Sequence, residues 1–188
     1  RLGTEYDRVE VMELNSYFTS EEVIARAREK QVVDLAGLKP VCYYGCQGQR
    51  PPKITKHPNP ENPMGLDNLM SALGAEVRDW SFKTDCCGAS HSLARPDILY
   101  KMVGDLYRRA LEAGANCFVT GCQMCQANLD LYQKEIAAEM GEEVYLPAFY
   151  FTELIGLALG HKDAKRWLHR HMVNPKALLS EANLLEKI

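Results

Sequence analysis

Seven cysteines constrain what this 188-residue chain can be more than any other feature of its sequence. Their number is odd, Cys86 and Cys87 are adjacent, and Cys122 and Cys125 form a C-x-x-C pair. Secreted domains held by disulfides usually have an even number of cysteines in a shorter, loop-rich chain. Nothing at the start of the chain resembles an export signal. The pattern therefore favours metal or redox chemistry in a reducing compartment, and we expect a cytoplasmic location.

The charge and hydropathy of the chain argue against two classes of partner. The formal net charge is −3, with acidic and basic residues mixed along the chain, which is unlike a basic face that binds nucleic acid. The longest apolar stretch, around residues 154–159, is far shorter than the ~18 to 20 residues needed to cross a bilayer. With 46% hydrophobic residues, the length suffices for one α/β domain with a substantial core.

Alternating strand and helix patterns predict the fold class. Short β-rich runs predict strands at residues 40–44, 76–82, 117–120 and 144–146. Apolar residues at helical spacing predict helices at residues 19–30, 64–73, 96–114, 122–140 and 149–159, and two further pieces separated by Pro175. A capping-box pattern at Thr19 and Glu22 marks the start of the first helix. This order predicts an α/β fold, a mostly parallel sheet with helices on both faces.

The predicted strands bring five of the cysteines to one place. Cys46 follows the first predicted strand, Cys86 and Cys87 follow the second, and Cys122 and Cys125 follow the third and open a helix. The carboxyl ends of parallel strands lie along one edge of a sheet, where ligands bind. A helix start at Cys122 favours the thiolate form, because helix N-termini lower the pKa of a thiol. We therefore expect a cysteine cluster at the carboxyl edge of the strands.

The residues alone leave the chemistry of this site open. Clustered thiolates are soft ligands, which suit an iron–sulfur cluster or zinc rather than magnesium or calcium. A tetrahedral zinc ion and a cubane [4Fe–4S] cluster each need four cysteines, so either would leave one of the five idle. Thiol–disulfide chemistry is the third possibility. Cys42 and Cys117 lie within predicted strands, and we expect both to be small buried hydrophobes.

The spacing of the five cysteines resembles a known domain. The pattern C-x39-C-C-G-x33-C-x2-C is similar to that of the cysteine-rich CCG domain, and Cys42 and Cys117 fall outside it. The surrounding segments are Tyr43-Tyr-Gly-Cys46 followed by Arg50-Pro51, then Asp85-Cys-Cys-Gly-Ala-Ser90, then Cys122-Gln-Met-Cys-Gln-Ala-Asn-Leu-Asp130 with Gln133. These segments resemble the second CCG domain of the heterodisulfide reductase B-subunit family over about residues 40–160.

The resemblance implies a function, a cofactor and a ligand set. In that family a non-cubane [4Fe–4S] cluster cleaves a disulfide substrate with electrons from iron–sulfur clusters of a partner subunit. The implied ligands are all five cysteines, Cys46, Cys86, Cys87, Cys122 and Cys125. The chain would then be an oxidoreductase, the iron–sulfur subunit of a heterodisulfide-reductase-like complex or a fragment of that subunit.

The resemblance also implies a division of the chain and further partners. Residues 1–38 resemble the family's interdomain linker, residues 39–160 its CCG domain, and residues 161–188 a C-terminal helical tail. The family's chain has two CCG domains in tandem, whereas this sequence matches the second alone. We therefore expect another CCG domain and an electron-donating iron–sulfur subunit as partners, and incomplete catalysis by this chain in isolation.

Two other functions stand as alternatives. In the first, the cysteines hold zinc or a structural cluster in a module without catalysis. In the second, the chain is an electron-transfer subunit of a 2-hydroxy-acid oxidase, although such CCG proteins usually lack the Tyr-Tyr-Gly-Cys and Arg-Pro segments. Other polar candidates have simpler interpretations. We expect a solvated loop around Arg50, Lys53 and Lys56, and an exposed helix-start position for His91. Asn128 and Asp130 resemble family positions, and we expect them to tie their helix to the cysteine loop. Gly45, Gly88 and Gly121, next to the cysteines, should let the backbone approach an inorganic core.

Overall fold

The molecule is built around a small parallel sheet, seen in a computed structural model that describes residues 11–187. The strands are β1 at Pro40–Tyr43, β2 at Cys117–Thr120 and β3 at Ala148–Tyr150, hydrogen-bonded in the order β1-β2-β3. In register, Cys42 pairs with Val119. Helices occur in the connections between consecutive strands, as parallel pairing requires. The predicted α/β fold with a parallel sheet is confirmed.

Helices surround this sheet. Their bounds are α1 Leu14–Phe18, α2 Glu21–Glu29, α3 Pro52–Thr55, α4 Gly65–Ala72, α5 Pro96–Glu112, α6 Gln123–Leu131, α7 Gln133–Met140, α8 Phe151–Ala158, α9 Ala164–Leu168 and α10 Lys176–Glu181. A 3-10 helix at Ala89–His91 follows the adjacent cysteines. Among residues 11–187, no helix is both long enough and apolar enough to span a bilayer.

Both faces of the sheet are covered. Successive side chains of a strand point to opposite faces. On one face Cys42 is fully buried in a core that includes Leu69 of α4, and Cys117 belongs to the same core. On the other face Phe118 is fully buried in a core that includes Val103 of α5. Cys42 and Cys117 are thus the buried hydrophobes that the sequence predicts.

The predicted strand at residues 76–82 is wrong, although this segment does run beside β1. The backbone amides of Glu76 and Arg78 donate to carbonyls just before and at the start of β1, at 2.9 and 2.8 Å. One step further, the indole Nε1 of Trp80 donates to the Cys42 carbonyl at 2.9 Å. A side chain therefore takes the place of the next backbone donor, and the ladder ends before a strand is formed.

The predicted strand at residues 144–146 is also wrong, and the third strand lies further along the chain at β3. The amide of Gln133 binds both backbone groups of Leu146, donating to its carbonyl at 2.9 Å and accepting from its N–H at 3.0 Å. Leu146 consequently has no backbone group left to pair with β2. Pairing begins at Ala148, and the following helix α8 starts at Phe151 rather than at residue 149.

The single helix predicted at residues 122–140 is divided into α6 and α7. The Tyr107 hydroxyl donates to the Leu129 carbonyl at 2.8 Å. In an unbroken helix that carbonyl would accept from the amide of Gln133, four residues on. Tyr132 between the two helices has a φ of −107°, outside the helical range. A hydroxyl from α5 therefore ends α6 at Leu131.

The N-terminal predictions need one correction. The Thr19 hydroxyl donates to the Asn15 carbonyl at 2.8 Å and closes α1, so it does not cap the next helix. Helix α2 instead begins at Glu21 after Ser20. Part of the predicted arm, residues 1–10, lies outside the described residues, and the remainder contains α1. The other predicted helices are confirmed, including the two pieces of the tail, α9 and α10, on either side of Pro175.

Candidate metal centre

Cys46 lies in the turn that follows β1. Gly45 has a φ of +67°, and a Cβ atom there would lie 2.8 Å from Sγ of Cys125, so only glycine allows this approach. The backbone amides of Tyr44 and Gly45 donate to the Lys83 carbonyl at 2.8 and 3.2 Å. The turn is thereby held against the segment that leads to the adjacent cysteines.

The segment that carries Cys86 is fixed from the core side by Tyr43. This fully buried side chain donates its hydroxyl to the Asp85 carbonyl at 2.6 Å. Gly88, at a φ of +71°, donates its amide to Sγ of Cys86 at 3.3 Å. A backbone N–H directed at a sulfur stabilises the thiolate, as is common where thiolates hold a metal centre.

Helix α6 reaches the same segment through Asn128. Its Nδ2 donates to the Cys87 carbonyl at 3.2 Å and contacts Sγ of Cys87 at 3.5 Å. Asn128 and Cys87 are both buried. The sequence predicts that Asn128 ties its helix to the cysteine loop, and the structure confirms it.

The C-x-x-C pair stands at the start of α6, as predicted. Cys122 is the residue before the first helical turn, and its carbonyl accepts from the Gln126 amide at 2.9 Å. The hydrogen bond from the Cys125 thiol lowers the pKa of Cys122 to about 6 against the effect of burial, with help from the backbone amides of Cys125 and Met124. Cys122 is therefore a thiolate at neutral pH.

Cys125 also reaches across to the adjacent cysteines. Its Sγ lies 3.6 Å from Sγ of Cys87. This hydrogen bond lowers the pKa of Cys87 to about 7, against burial and together with the contact from Asn128. Because Cys125 is hydrogen-bonded to both Cys122 and Cys87, its own pKa is raised well above the ordinary value. One protonated thiol thus lies between two acidic ones.

Cys46 and Cys86 are the remaining two of the five thiols, and they lie on the more exposed side of the site, called here its outer side. Burial, then the charge and hydrogen bond of the neighbouring Cys86 thiol, raise the pKa of Cys46. Burial also raises the pKa of Tyr43 far above its usual range, and four thiols, Cys125, Cys87, Cys86 and Cys46, add to this by their charge. Cys86 is exposed, Cys46 and Cys122 are half-buried, and Cys87 and Cys125 are buried. The site has a closed inner wall and an open outer side.

The donor set fits an iron–sulfur cluster in its chemistry. The thiols belong to three separate segments, and a backbone and a side-chain N–H group point at the sulfurs of Cys86 and Cys87. Among residues 11–187 there is no group of three or more His, Cys, Asp or Glu side chains arranged to hold a metal ion. The five thiols lie in two contact groups: Cys46 contacts Cys86, and Cys125 contacts both Cys87 and Cys122.

Two of the three glycines next to the cysteines allow close packing of protein side chains rather than the approach to a cofactor that the sequence suggests. The sequence suggests that Gly45, Gly88 and Gly121 let the backbone approach an inorganic core. Gly45 does border a thiol, but a Cβ at Gly88 would meet Sδ of Met102 at 3.2 Å. At Gly121 a Cβ would clash with the side-chain amide of Asn15, because the arm packs there. Both close contacts are with protein side chains.

The structure also places the other polar candidates. Arg50 forms an exposed ion pair with Glu61, as a solvated loop would. His91 is half-buried at the end of the 3-10 helix rather than exposed. Asp130, expected to tie its helix to the cysteine loop, instead accepts from the amides of Met172 and Val173 in the tail at 2.8 and 3.0 Å.

Sequence reasoning missed two residues that shape the site. Lys83 is buried beside Tyr44, although a lysine in a charged, turn-like segment gives no sign of burial. The contact of Asn15 with Gly121 joins residues that are far apart in the chain, and no local pattern could have indicated it. A hydrogen bond from the Tyr43 hydroxyl could have been predicted, because the hydroxyl of a buried tyrosine needs an acceptor.

Comparison with known proteins identifies the class of this thiol-rich α/β domain. The CCG family, described as a cysteine-rich domain, matches residues 41–130, a range that contains all five predicted ligands. The chain is 30% identical over 138 residues to the B subunit of the ferredoxin:CoB-CoM heterodisulfide reductase of Methanosarcina mazei. That alignment covers 72% of this chain and 46% of the relative.

Two further relatives carry related descriptions. The 8-methylmenaquinol:fumarate reductase membrane anchor subunit of Wolinella succinogenes is 28% identical over 155 residues, covering 82% of this chain and 55% of that protein. A protein of Archaeoglobus profundus described as like the heterodisulfide reductase B subunit is 26% identical over 146 residues, covering 76% and 49%. The chain spans about half the length of these relatives.

The predicted family is therefore confirmed. Residues 41–130 match the CCG cysteine-rich family, and the chain is similar to the B subunits of heterodisulfide reductases. Its relatives are subunits of reductases. Its position as the second of two CCG domains stays a prediction.

Proposed function

We propose that this chain is the cluster-carrying part of a heterodisulfide-reductase-like subunit. In this proposal Cys46, Cys86, Cys87, Cys122 and Cys125 hold a non-cubane [4Fe–4S] cluster that cleaves a disulfide with electrons from a partner subunit. The observation that supports the proposal is the contact of Cys125 with Cys87 and Cys122, and of Cys46 with Cys86, within a CCG domain that contains all five cysteines.

The number and arrangement of the thiols favour this cofactor over zinc. A structural zinc ion takes four ligands, which leaves one cysteine without a role. Cys125 contacts both Cys122 and Cys87, so these three residues would be available to hold the same group. The spread of five thiols over an outer, exposed side and an inner, buried side suits a group with several metal atoms.

The protein's own residues have positioning and shielding roles at this site. When bound, such a cluster supplies iron atoms that capture the sulfurs of a disulfide and pass electrons one at a time. Asn128 and Tyr43 hold the backbone of the adjacent cysteines, and Tyr43 stays protonated because its pKa lies far above neutrality. Cys87 and Cys125 face protein, so a substrate would approach from the side of the exposed Cys86.

The proposal includes partners and a location. Cleaving one disulfide to two thiols takes two electrons and two protons, so the site needs an electron-donating iron–sulfur subunit. We place a second CCG domain opposite the exposed side of the thiols, with residues 1–38 as the linker, residues 39–160 as the CCG domain and residues 161–188 as the tail. Seven free cysteines support a reducing compartment such as the cytoplasm.

A second candidate is electron transfer within a different reductase. The match to the membrane anchor subunit of 8-methylmenaquinol:fumarate reductase, which covers 82% of this chain, favours it. Both candidates share the same cluster site, and they differ in whether a disulfide is a substrate. A structural zinc module and a subunit of a 2-hydroxy-acid oxidase have no comparable observation in their favour.

Disulfide reduction in the presence of a second CCG domain tests the proposal. The cluster-loaded chain is mixed with a separately expressed first CCG domain, reduced methyl viologen as electron donor, and cystine, glutathione disulfide or 2-hydroxyethyl disulfide. We expect repeated turnover with both domains and none with either alone. The absence of turnover with all three disulfides, at full cluster content, would favour the electron-transfer candidate instead.

A further inference from the structure

Lys83 and Asp67 form a buried ion pair beside the turn that carries Cys46. Nζ of Lys83 lies 2.8 Å from Oδ1 of Asp67, and the two side chains are only 4% and 5% exposed. Nζ also contacts Sδ of Met64 at 3.1 Å. A buried ion pair is weak support for stability, because desolvation offsets its attraction, and its clearest use is to specify one arrangement of the chain.

The Tyr44 hydroxyl extends this ion pair to helix α4. It donates to Oδ2 of Asp67 and accepts from the Leu66 amide at 2.9 Å. Tyr44 is itself buried, at 7% exposure, so these bonds lie largely away from solvent. The side chain that precedes Gly45 and Cys46 is thus fixed to the first turn of α4.

The same three residues also join the two outer cysteine segments. The Lys83 carbonyl accepts from the amides of Tyr44 and Gly45, at 2.8 and 3.2 Å. Cys46 directly follows the first segment, and Cys86 lies three positions after Lys83. Two kinds of contact therefore join the same two segments. The backbone of Tyr44 bonds to the Lys83 carbonyl, and the Tyr44 hydroxyl is linked to the Lys83 ammonium through Asp67.

The outer pair of thiols depends on such support more than the inner pairs do. Cys122 and Cys125 are held at helical spacing by α6, and Cys87 is buried against that helix. Cys86 is exposed and Cys46 half-buried, and both lie outside regular secondary structure. Local structure alone does not hold these two residues together.

We propose that Lys83, Asp67 and Tyr44 are positioning residues, which hold the Cys46 turn against the Cys86 segment before a cluster is present. That these residues prepare a cluster site rests on the proposed function, whereas their arrangement rests on the hydrogen bonds and the ion pair described above. Cys46 and Cys86 would then already lie close together before the cofactor binds. Binding would therefore cost less conformational entropy, because these two segments need not be ordered at that moment.

Crosslinking of the thiols in the reduced, cluster-free chain tests this proposal. Dibromobimane joins two thiols that lie close together, and peptide mass spectrometry identifies which ones. The ratio of Cys46–Cys86 product to Cys122–Cys125 product measures the outer pair against an internal reference in the same molecules. The variants are Tyr44→Phe, which keeps the ion pair, and Asp67→Asn, which breaks it. The control Tyr107→Phe removes another buried hydroxyl, one that bonds to α6 instead.

We expect the crosslinking ratio to fall about fivefold to tenfold in Tyr44→Phe and Asp67→Asn, as loss of one or more buried hydrogen bonds implies. The ratio should not fall in Tyr107→Phe. In cluster-loaded protein the same two variants should show an altered electronic spectrum at equal iron content. Should Asp67→Asn fail to fold, Tyr44→Phe still gives the answer.

A lower melting temperature with an unchanged crosslinking ratio would overturn the proposal, because the network would then stabilise only the core. The outcome is independent of the cofactor. If the wild-type chain takes up zinc rather than iron and sulfide, the proposed function fails, while the crosslinking ratio still reports whether the network positions the thiols.

Discussion

The thiol sulfurs of Cys87 and Cys125 lie 3.6 Å apart, although 38 positions separate the two residues in the sequence. The contact joins the segment beside β1 to the first turn of α6, and both thiols are almost fully buried, at 3% and 4% exposure. Asn128 on the same helix holds the Cys87 backbone. The fold itself thus assembles the inner wall of the thiol site.

Replacing a ligand by serine should damage the cluster. Serine at Cys46, Cys86, Cys87, Cys122 or Cys125 removes a thiolate from the proposed set, so each variant should lose the cluster or alter its absorption and electron paramagnetic resonance spectra. The measurement is made on protein purified without air, with iron content determined in parallel. A serine variant with unchanged iron content and spectra would remove that residue from the ligand set.

The two cysteines of the sheet provide the matched control. Cys42→Ser and Cys117→Ser should leave the spectra intact, because both thiols are fully buried in the core and away from the site. Each should lower the free energy of unfolding by about 1–3 kcal/mol, the cost of a buried hydroxyl without a good partner. If Cys42→Ser abolished the cluster and Cys46→Ser did not, the first ligand would be misassigned.

Asn128→Leu should loosen the adjacent cysteines. The substitution leaves the buried Cys87 carbonyl without its donor, which should lower the free energy of unfolding by about 1–3 kcal/mol. It should also shift the cluster spectrum, because Nδ2 contacts the Cys87 sulfur. Gln126→Leu on the same helix is the control, since its side-chain amide bonds to the Ala148 carbonyl and to Glu153. Equal spectra for both variants would contradict a role of Asn128 at the thiols.

The tail should be more firmly docked at mildly acidic pH than at alkaline pH. His171 bonds to Glu153 at 3.1 Å and lies 3.9 Å from Asp130. Although burial opposes the charge, the hydrogen bond and the two carboxylates raise the pKa of His171 above 6.5. Its contribution to stability is therefore fully present below pH 6.5 and is lost as pH rises through the folded-state pKa.

Thermal unfolding of wild type and His171→Gln at several pH values tests this direction of the pH dependence. The difference between the two melting temperatures should shrink from about pH 6 to about pH 8. His169→Gln, at an exposed position of the same segment, is the matched control for the loss of a histidine side chain. A difference that grows with pH would mean that His171 is neutral when the tail is docked.

The approach of the adjacent cysteines to the start of α6 was predictable from the sequence even where the local structure was not. The expectation that Cys86 and Cys87 reach the edge of the sheet rested on a strand at residues 76–82, which does not form. The segment still runs beside β1, because Glu76 and Arg78 start a ladder that the Trp80 indole then ends. Because the segment runs alongside β1, Cys86 and Cys87 follow it toward the carboxyl end of that strand even without a strand at residues 76–82.

What the sequence could not show depends on side chains that replace backbone partners. Gln133 occupies both backbone groups of Leu146, and the Tyr107 hydroxyl takes the Leu129 carbonyl. Each contact links distant parts of the chain and overrides a local pattern that favoured a strand or a longer helix. The burial of Lys83 has the same origin, since it depends on Asp67 in helix α4.

The content of iron and acid-labile sulfide in protein purified without air tests the central claim most directly. A non-cubane [4Fe–4S] cluster on the five cysteines predicts about four iron and about four sulfide per chain. Air must be excluded throughout, because oxidised thiols or adventitious zinc would otherwise occupy the same residues. Stoichiometric zinc without sulfide, in protein never exposed to air, would contradict the account.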